Sequence, residues 1–197
     1  LIQEKLPRYV DAKPFEIQVL TPMRKGLLGV ERLNQILQMY LNPAGPDKKE
    51  KEIGERLFRE GDKVMQLRNN YMMEWKRDGE TENGKGVFNG DMGRIEGINP
   101  ESGRVSVRYD DRVVVYENED LMELELAYAI TVHKSQGSEF PAVILPAAQV
   151  PPRLCYRNLF YTGVTRGRKL CIVVGRRDVV NRMMSNIRQN LRYSGLA

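Results

Sequence analysis

"ITVHKSQGSEFPAVILPAA", residues 130–148, reads as a strand, a polar loop and a second strand. Ile130 and Val132 alternate as in a half-buried strand, and "AVILPAA" is a short apolar run of strand length. Between them lie the only histidine of the chain, His133, then Lys134, Ser135, Gln136, Gly137, Ser138 and Glu139. Two such strands with helical texture beyond them point to an α/β fold, because strands that alternate with helices build a parallel sheet.

Working outward, "YRNLFYTGVTRGR" (156–168) reads as a helix, "KLCIVVG" (169–175) as a strand and "DVVNRMMSNIRQNL" (178–191) as a last helix. Upstream, residues 16–20 read as a strand that runs into the turn "TPMRKG". In "GVERLNQILQMYLN", Val30, Leu33, Ile36, Leu37, Tyr40 and Leu41 recur at helical spacing, so an amphipathic helix follows. "PAGPDKKEKEIGE" has the Pro, Gly and mixed charge of an exposed linker.

Between about residues 61 and 120 the texture changes to short strand candidates, "DKVMQLRN", "MGRIEGI", "RVSVRYD" and "RVVVYEN", separated by turn residues. That pattern predicts a small β-barrel inserted into the α/β unit. "MEWKRDGETENGKG" (73–86) is polar and glycine-containing and is expected to be a loop. The predicted boundaries are 1–56 and 125–197 for the two segments of the α/β domain and 57–124 for the insertion.

A chain of 197 residues that is 41% hydrophobic and 29% charged fits a globular protein. No apolar run reaches the ~20 residues of a membrane span, so no membrane partner is expected. Cys155 and Cys171 have apolar neighbours and no metal-type spacing, which predicts buried free thiols in a reducing cytoplasm and no metal site. The first residue is Leu and not Met, so the chain is expected to be part of a longer one.

The net charge is +5, and its distribution is uneven. From Pro151 onward there are ten Lys or Arg residues against one acid, Asp178. A polyanion partner and plain solubility explain that bias equally well.

Ligands of open α/β sheets bind at the carboxyl ends of the strands. Three polar clusters are expected there: "TPMRKG", "THKSQGSE"-type residues and "TGVTRGRK". Each offers Arg or Lys, which place donors on phosphate oxygens, and Gly, which lets backbone approach closely. The sequence has no G-x-x-x-x-G-K-S/T phosphate loop and no strand ending in paired Asp-Glu. Such a chain would help to bind a nucleoside triphosphate without hydrolysing it alone.

The blocks "VLTPMRKGLLGVERLN", "GDKVMQLRNNY", "VFNGDMGRI", "AYAITVHKSQGSEFPAVILP" and "NLFYTGVTRGRKLCIVVG" resemble, in order, the C-terminal part of RecD-like superfamily 1 DNA helicases. That family includes the alpha subunit of exodeoxyribonuclease V. The resemblance implies a RecA-like second motor domain, a parallel sheet with flanking helices, interrupted by an SH3-like β subdomain. It also implies ATP and magnesium, with magnesium held mainly by a first motor domain upstream. Single-stranded DNA or duplex ends are the implied partners, with other nuclease–helicase subunits possible, and the implied setting is DNA repair or recombination with 5′→3′ movement.

Residue by residue, the resemblance makes Arg24 and Arg166 catalytic groups that reach the γ-phosphate, Arg166 as an arginine finger. It sets Gly137 and Glu139 beside the nucleotide, and Thr131, His133, Lys134 and Ser135 towards DNA. Alternatives stay open on the residues alone. His133 could be a structural hydrogen-bonder, Arg24 a surface charge, and Arg166 the partner of an acid at a helix end. Asn89 could lie near DNA or simply form a hairpin turn with Gly90. Tyr71 and Trp75 could stack on bases or close a small core. A non-catalytic nucleic-acid-binding or protein-docking module is the competing function.

Overall fold

The computed structural model describes residues 1–77 and 83–187. The chain forms two compact units, Leu1–Val30 with Ile130–Ala197, and Glu31–Ala129.

The first unit is built on a four-stranded sheet in the order Ala129–Thr131, Ile17–Thr21, Phe140–Ala147, Gly167–Gly175. Ile17–Thr21 and Phe140–Ala147 pair in parallel, with Ile17 opposite Ala142 and Val19 opposite Ile144. Phe140–Ala147 also pairs in parallel with Gly167–Gly175, with Ala142 opposite Leu170 and Ala147 opposite Gly175. Every residue of Ile17–Thr21 is buried. A central parallel strand is covered on both faces, so that even its polar Gln18 and Thr21 lie inside.

A parallel connection needs a crossover, and the helix Arg157–Val164 supplies it. A Cβ on its Gly163 would stand 2.8 Å from Leu145 Cδ2, so the missing side chain lets the helix lie close on the sheet. The helix Arg177–Ser185 buries Val179 and Met183, four residues apart on one face. The helix Lys5–Val10 buries Leu6 and Val10, and Lys169 Nζ donates to Val10 O at 2.5 Å, satisfying a carbonyl at its end.

The second unit is a seven-stranded sheet ordered Leu124–Leu126, Lys63–Gln66, Met92–Ile98, Val105–Tyr109, Arg112–Tyr116, Asn70–Arg77, Asn83–Val87. Its strand pairs are antiparallel. Phe58, Val64, Ile95, Val105, Val107, Tyr116 and Leu124 lie in its core at 1% exposure or less. Leu37 and Leu41 of the helix Val30–Leu41 pack against that core. Asn34 fixes the same helix further: its Nδ2 donates to Leu126 O and Ala129 O, and its Oδ1 accepts from Ala129 N. The compact β unit thus runs from 31 to 129, against the 57–124 expected for an insertion, because this helix belongs to its core.

Two segments differ from expectation. The linker of residues 43–55 contains the strand Glu50–Ile53, which forms a hairpin with Arg56–Arg59. The loop expected over 73–86 is mostly strand: Asn70–Arg77 pairs with Asn83–Val87, Trp75 opposite Gly84. A Cβ at Gly84 would fall 2.1 Å from Trp75 Cζ2, so the indole lies across a glycine. Residues 78–82 of that loop, and 188–191 of the expected last helix, lie outside the described residues. Cys155 is buried as expected; Cys171 is only half-buried, and burial raises its thiol pKa. Among the described residues no helix is long and apolar enough to cross a membrane.

Candidate functional site

Residues 132–140 connect opposite edges of the α/β sheet. Val132 N donates to Thr21 O at 3.0 Å, at the carboxyl end of Ile17–Thr21. Eight residues later, Phe140 N donates to Arg166 O at 2.8 Å, where Phe140–Ala147 and Gly167–Gly175 begin. The span is held by a 3-10 turn at His133–Ser135, with Gln136 N bonded to His133 O and Ser138 N to Ser135 O.

At the amino edge the structure brings Gly137, Ser138, Glu139, Arg166 and Arg168 together. Arg166 is half-buried, and its guanidinium donates to Thr162 O (3.2 Å), Ser138 O (3.1 Å) and Thr165 Oγ1 (3.3 Å). All three acceptors are uncharged, so the guanidinium is held in place with its charge uncompensated by these bonds. Thr165 Oγ1 in turn donates to Thr162 O at 3.1 Å. Ser138, Thr162 and Thr165 were not singled out in the sequence. Ser138 and Thr162 act through their backbone carbonyls, so their residue types carried no signal; only the Thr165 hydroxyl, next to Arg166 in sequence, is a side-chain partner.

Gly137 is exposed at φ +87°, and no heavy atom lies within 4 Å of where its Cβ would be. Its backbone is therefore open to a ligand and takes a conformation that favours glycine. Glu139 is ion-paired with Arg168 at 2.9 Å, both side chains more than half exposed. Exposed pairs of this kind are worth ~0–1 kcal/mol and are readily exchanged for another partner.

At the carboxyl edge lie Thr131, His133, Lys134 and Arg24. Thr131 Oγ1 accepts from Lys134 N at 3.2 Å. His133 is exposed, with Nε2 3.5 Å from the hydroxyl of Tyr156, the residue that precedes the helix Arg157–Val164. Arg24 is exposed in a tight loop: Thr21 Oγ1 donates to Leu28 O at 2.6 Å and Val30 N to Met23 O at 3.0 Å. A shallow groove of about 390 Å³ beside it is lined by Met23, Lys25, Gln149 and Pro151.

Two expectations change on this geometry. "TGVTRGRK" precedes its strand, so it lies at the amino edge and not at the carboxyl ends with "TPMRKG". Arg24 accordingly follows the carboxyl end of Ile17–Thr21, whereas Arg166 directly precedes the amino end of Gly167–Gly175. Ser135 is fully buried, its hydroxyl donating to Val132 O at 2.7 Å, so it braces the turn and faces no ligand.

Asn89 lies in the β unit, exposed, in a turn closed by Asp91 N donating to Phe88 O at 3.0 Å, with Gly90 at φ +97°. The strands on either side, Asn83–Val87 and Met92–Ile98, are not neighbours in the sheet. The turn therefore closes no hairpin. Among the described residues no group of three or more His, Cys, Asp or Glu is arranged to hold a metal ion.

Residues 33–109 match the SH3 domain of ATP-dependent RecD-like DNA helicases, and residues 126–174 match the UvrD-like helicase C-terminal domain. The chain is similar to the ATP-dependent RecD2 DNA helicase of Deinococcus radiodurans, 40% identical over 157 residues, 79% of this chain and 19% of that protein. It is 27% identical over 165 residues to the RecBCD enzyme subunit RecD of Buchnera aphidicola from Schizaphis graminum, covering 82% of this chain and 25% of that one. The chain thus spans a quarter or less of the length of these relatives. In fold it is similar to a Pif1 helicase solved in a study of unwinding at forked double-stranded DNA, with TM-score 0.57, 20% identity, and coverage of 93% of this chain and 44% of that one. The first unit is thus the RecA-like α/β domain and the second its SH3-like β unit.

Proposed function

The chain belongs to the RecD-like superfamily 1 DNA helicases, and on that premise we propose that it is the second motor half of an ATP-dependent DNA helicase. The observation that carries this is the segment 132–140, one short stretch fixed to the carboxyl edge at Thr21 and to the amino edge at Arg166. The amino edge takes the nucleotide, with Gly137 offering open backbone, Glu139 a carboxylate for the ribose, and Arg166 the finger. The carboxyl edge takes the DNA backbone, with Thr131, His133 and Lys134. Asn89 is a further DNA contact from the β unit. Arg24, on the loop after Ile17–Thr21, is offered for a phosphate, that of the nucleotide as the resemblance implies or that of the DNA edge where its loop lies.

In this scheme ATP is the bound group and supplies the phosphoryl transfer. Arg166 stabilises charge on the transferring phosphate, leaving its three neutral acceptors to do so. A ligand shifts a two-state element only through different affinities for the two states. Residues 132–140 meet that need, because their two ends report to two ligands. As the resemblance implies, magnesium and the phosphate loop are assigned mainly to a first motor domain of the same protein. The chain alone is then without ATPase activity. Movement is 5′→3′, the setting is cytoplasmic DNA repair or recombination, and partner subunits of a nuclease complex are compatible with it.

The test is ATP hydrolysis by the whole protein that contains this chain, with and without single-stranded DNA, beside Arg166→Ala. DNA-stimulated hydrolysis is expected to fall by roughly 10³-fold while nucleotide still binds. Undiminished hydrolysis in the variant would remove the finger assignment. Absence of hydrolysis in the wild-type protein would leave a non-catalytic binding module.

A further inference from the structure

The β unit holds two aromatic rings out of its core on a rigid support. Tyr71 and Phe88 meet edge to face, with centroids 5.8 Å apart and planes at 74°, yet they are 66% and 42% exposed. Rings of this size normally contribute stability by being buried. Here a set of polar contacts fixes them outside.

Asn69 is the centre of that support. Its Nδ2 donates to the Tyr71 hydroxyl at 3.2 Å and its Oδ1 accepts from Asn89 N at 2.9 Å. One side chain therefore ties the Tyr71 strand to the Phe88–Asp91 turn. The turn is closed from within by Phe88 N donating to Asp91 Oδ2 at 3.0 Å and anchored to the strand Lys63–Gln66 by Gly90 N donating to Gln66 O at 2.9 Å. A Cβ on Gly86 would come within 3.1 Å of Phe88 Cζ, so the Phe88 ring lies over bare backbone.

Beside the rings, buried Glu123 accepts from Gln66 Nε2 (2.7 Å), Arg68 Nε (3.0 Å) and Asn70 Nδ2 (3.2 Å), and it forms an ion pair with Arg68 in which the two charges compensate each other. The Arg68 side chain remains 69% exposed. Two fixed rings, exposed amides and a guanidinium suit a ligand with flat apolar faces on an anionic backbone.

We propose that Tyr71 and Phe88 form a base-stacking platform for single-stranded nucleic acid, with Arg68 beside it for a phosphate. Stacking accepts any base, so the site adds affinity without sequence preference. It extends the DNA contact assigned to Asn89 and rests on DNA being the polymer this chain binds. Its residues are none of those assigned within 131–139, and the two assignments fail separately.

The experiment uses the chain itself with a deoxythymidine oligonucleotide carrying 5-iododeoxyuridine. Binding is read by fluorescence anisotropy, and photo-cross-links are mapped by peptide mass spectrometry. Cross-links at Tyr71 or Phe88 are expected, together with a loss of about tenfold or more in affinity for the double variant Tyr71→Ala, Phe88→Ala. Tyr71→Phe keeps the ring and most of the affinity, which separates stacking from the Asn69 hydrogen bond. Unfolding of the double variant at the wild-type urea midpoint excludes a folding defect, and the wild-type cross-link does not depend on any variant. Wild-type affinity in the double variant, with cross-links confined to residues 131–139, overturns the platform and leaves the proposed function standing. No binding by the wild-type chain overturns the platform and the DNA-edge assignment together.

Discussion

Asp62 in the β unit and Glu139 in the α/β unit are both acids, but they serve opposite ends. Asp62 is wholly buried and accepts four hydrogen bonds, from Gln38 Nε2 (2.5 Å), Asn42 Nδ2 (2.7 Å), Arg59 N (2.7 Å) and the Tyr128 hydroxyl (2.8 Å). Those partners tie the helix Val30–Leu41 and the hairpin strand Arg56–Arg59 to the sheet. Glu139 is exposed and ion-paired with Arg168, an exchangeable partner. Near it, among the described residues, Arg166 donates to three neutral oxygens. A buried polar group with every bond filled fixes structure; a charge held at a surface by weak or neutral partners is ready for a ligand.

The largest expected effect tests that contrast directly. Asp62→Ala leaves four donors aimed at an apolar methyl, and each unsatisfied buried donor costs ~1–3 kcal/mol. Urea unfolding of the chain should show a loss of roughly 3 kcal/mol or more. Arg166→Ala in the same assay should cost about 1 kcal/mol or less, since its three bonds are half exposed. Equal losses would break the distinction between a structural and a ligand-ready polar group.

The pH dependence sharpens it. Burial raises the Asp62 carboxyl above its ordinary 3.8, while Asn42, Gln38, Tyr128 and the Arg59 N–H pull it back. The folded state then holds the proton more tightly than the unfolded chain does. The stability this confers is complete below about pH 4 and is lost as pH rises through the folded value. Urea titrations from pH 4 to 7 should show wild type losing ground to Asp62→Asn. A gain with rising pH would mean that the four donors outweigh burial.

The same contrast explains what the sequence disclosed. Segments buried on both faces, such as Phe140–Ala147, read as strands because nothing polar interrupts them. Segments with one face in solvent were missed: Glu50–Ile53 alternates exposed acids with half-buried residues, and Asn70–Arg77 exposes Tyr71, Met72, Glu74 and Lys76. Asp62 gave no signal, since four partners spread over residues 38–128 converge only after folding. The site was legible as clusters, but not as two edges. "VTRGR" lies before its strand and "TPMRKG" after, a difference that parallel pairing turns into opposite ends of the sheet.

The next effect concerns the Arg24 loop. A Cβ on Gly29 would lie 2.5 Å from Lys25 C and 2.6 Å from Arg24 O, both backbone atoms that can yield only by moving the loop. Gly29→Ala should therefore cost about 1–3 kcal/mol, as overpacking does. It should also weaken single-strand binding by the chain if Arg24 serves the DNA edge. Normal DNA affinity in a destabilised variant would detach Arg24 from that edge and restore the question of its nucleotide role.

The smallest effect on stability is expected at the exposed pair. Arg168→Ala removes a partner from Glu139, with both side chains more than half in solvent, so unfolding should shift by no more than about 0.5 kcal/mol. Its effect on nucleotide is the informative one. If Glu139 must leave Arg168 to accept the ribose hydroxyls, then freeing it in Arg168→Ala should leave nucleotide affinity of the whole protein unchanged or improved. Glu139→Gln should weaken that affinity, and more for a ribonucleotide than for its 2′,3′-dideoxy analogue. If Arg168 itself binds phosphate, Arg168→Ala should weaken ribo- and dideoxynucleotide equally. The two patterns cannot coincide, because one depends on the sugar and the other does not.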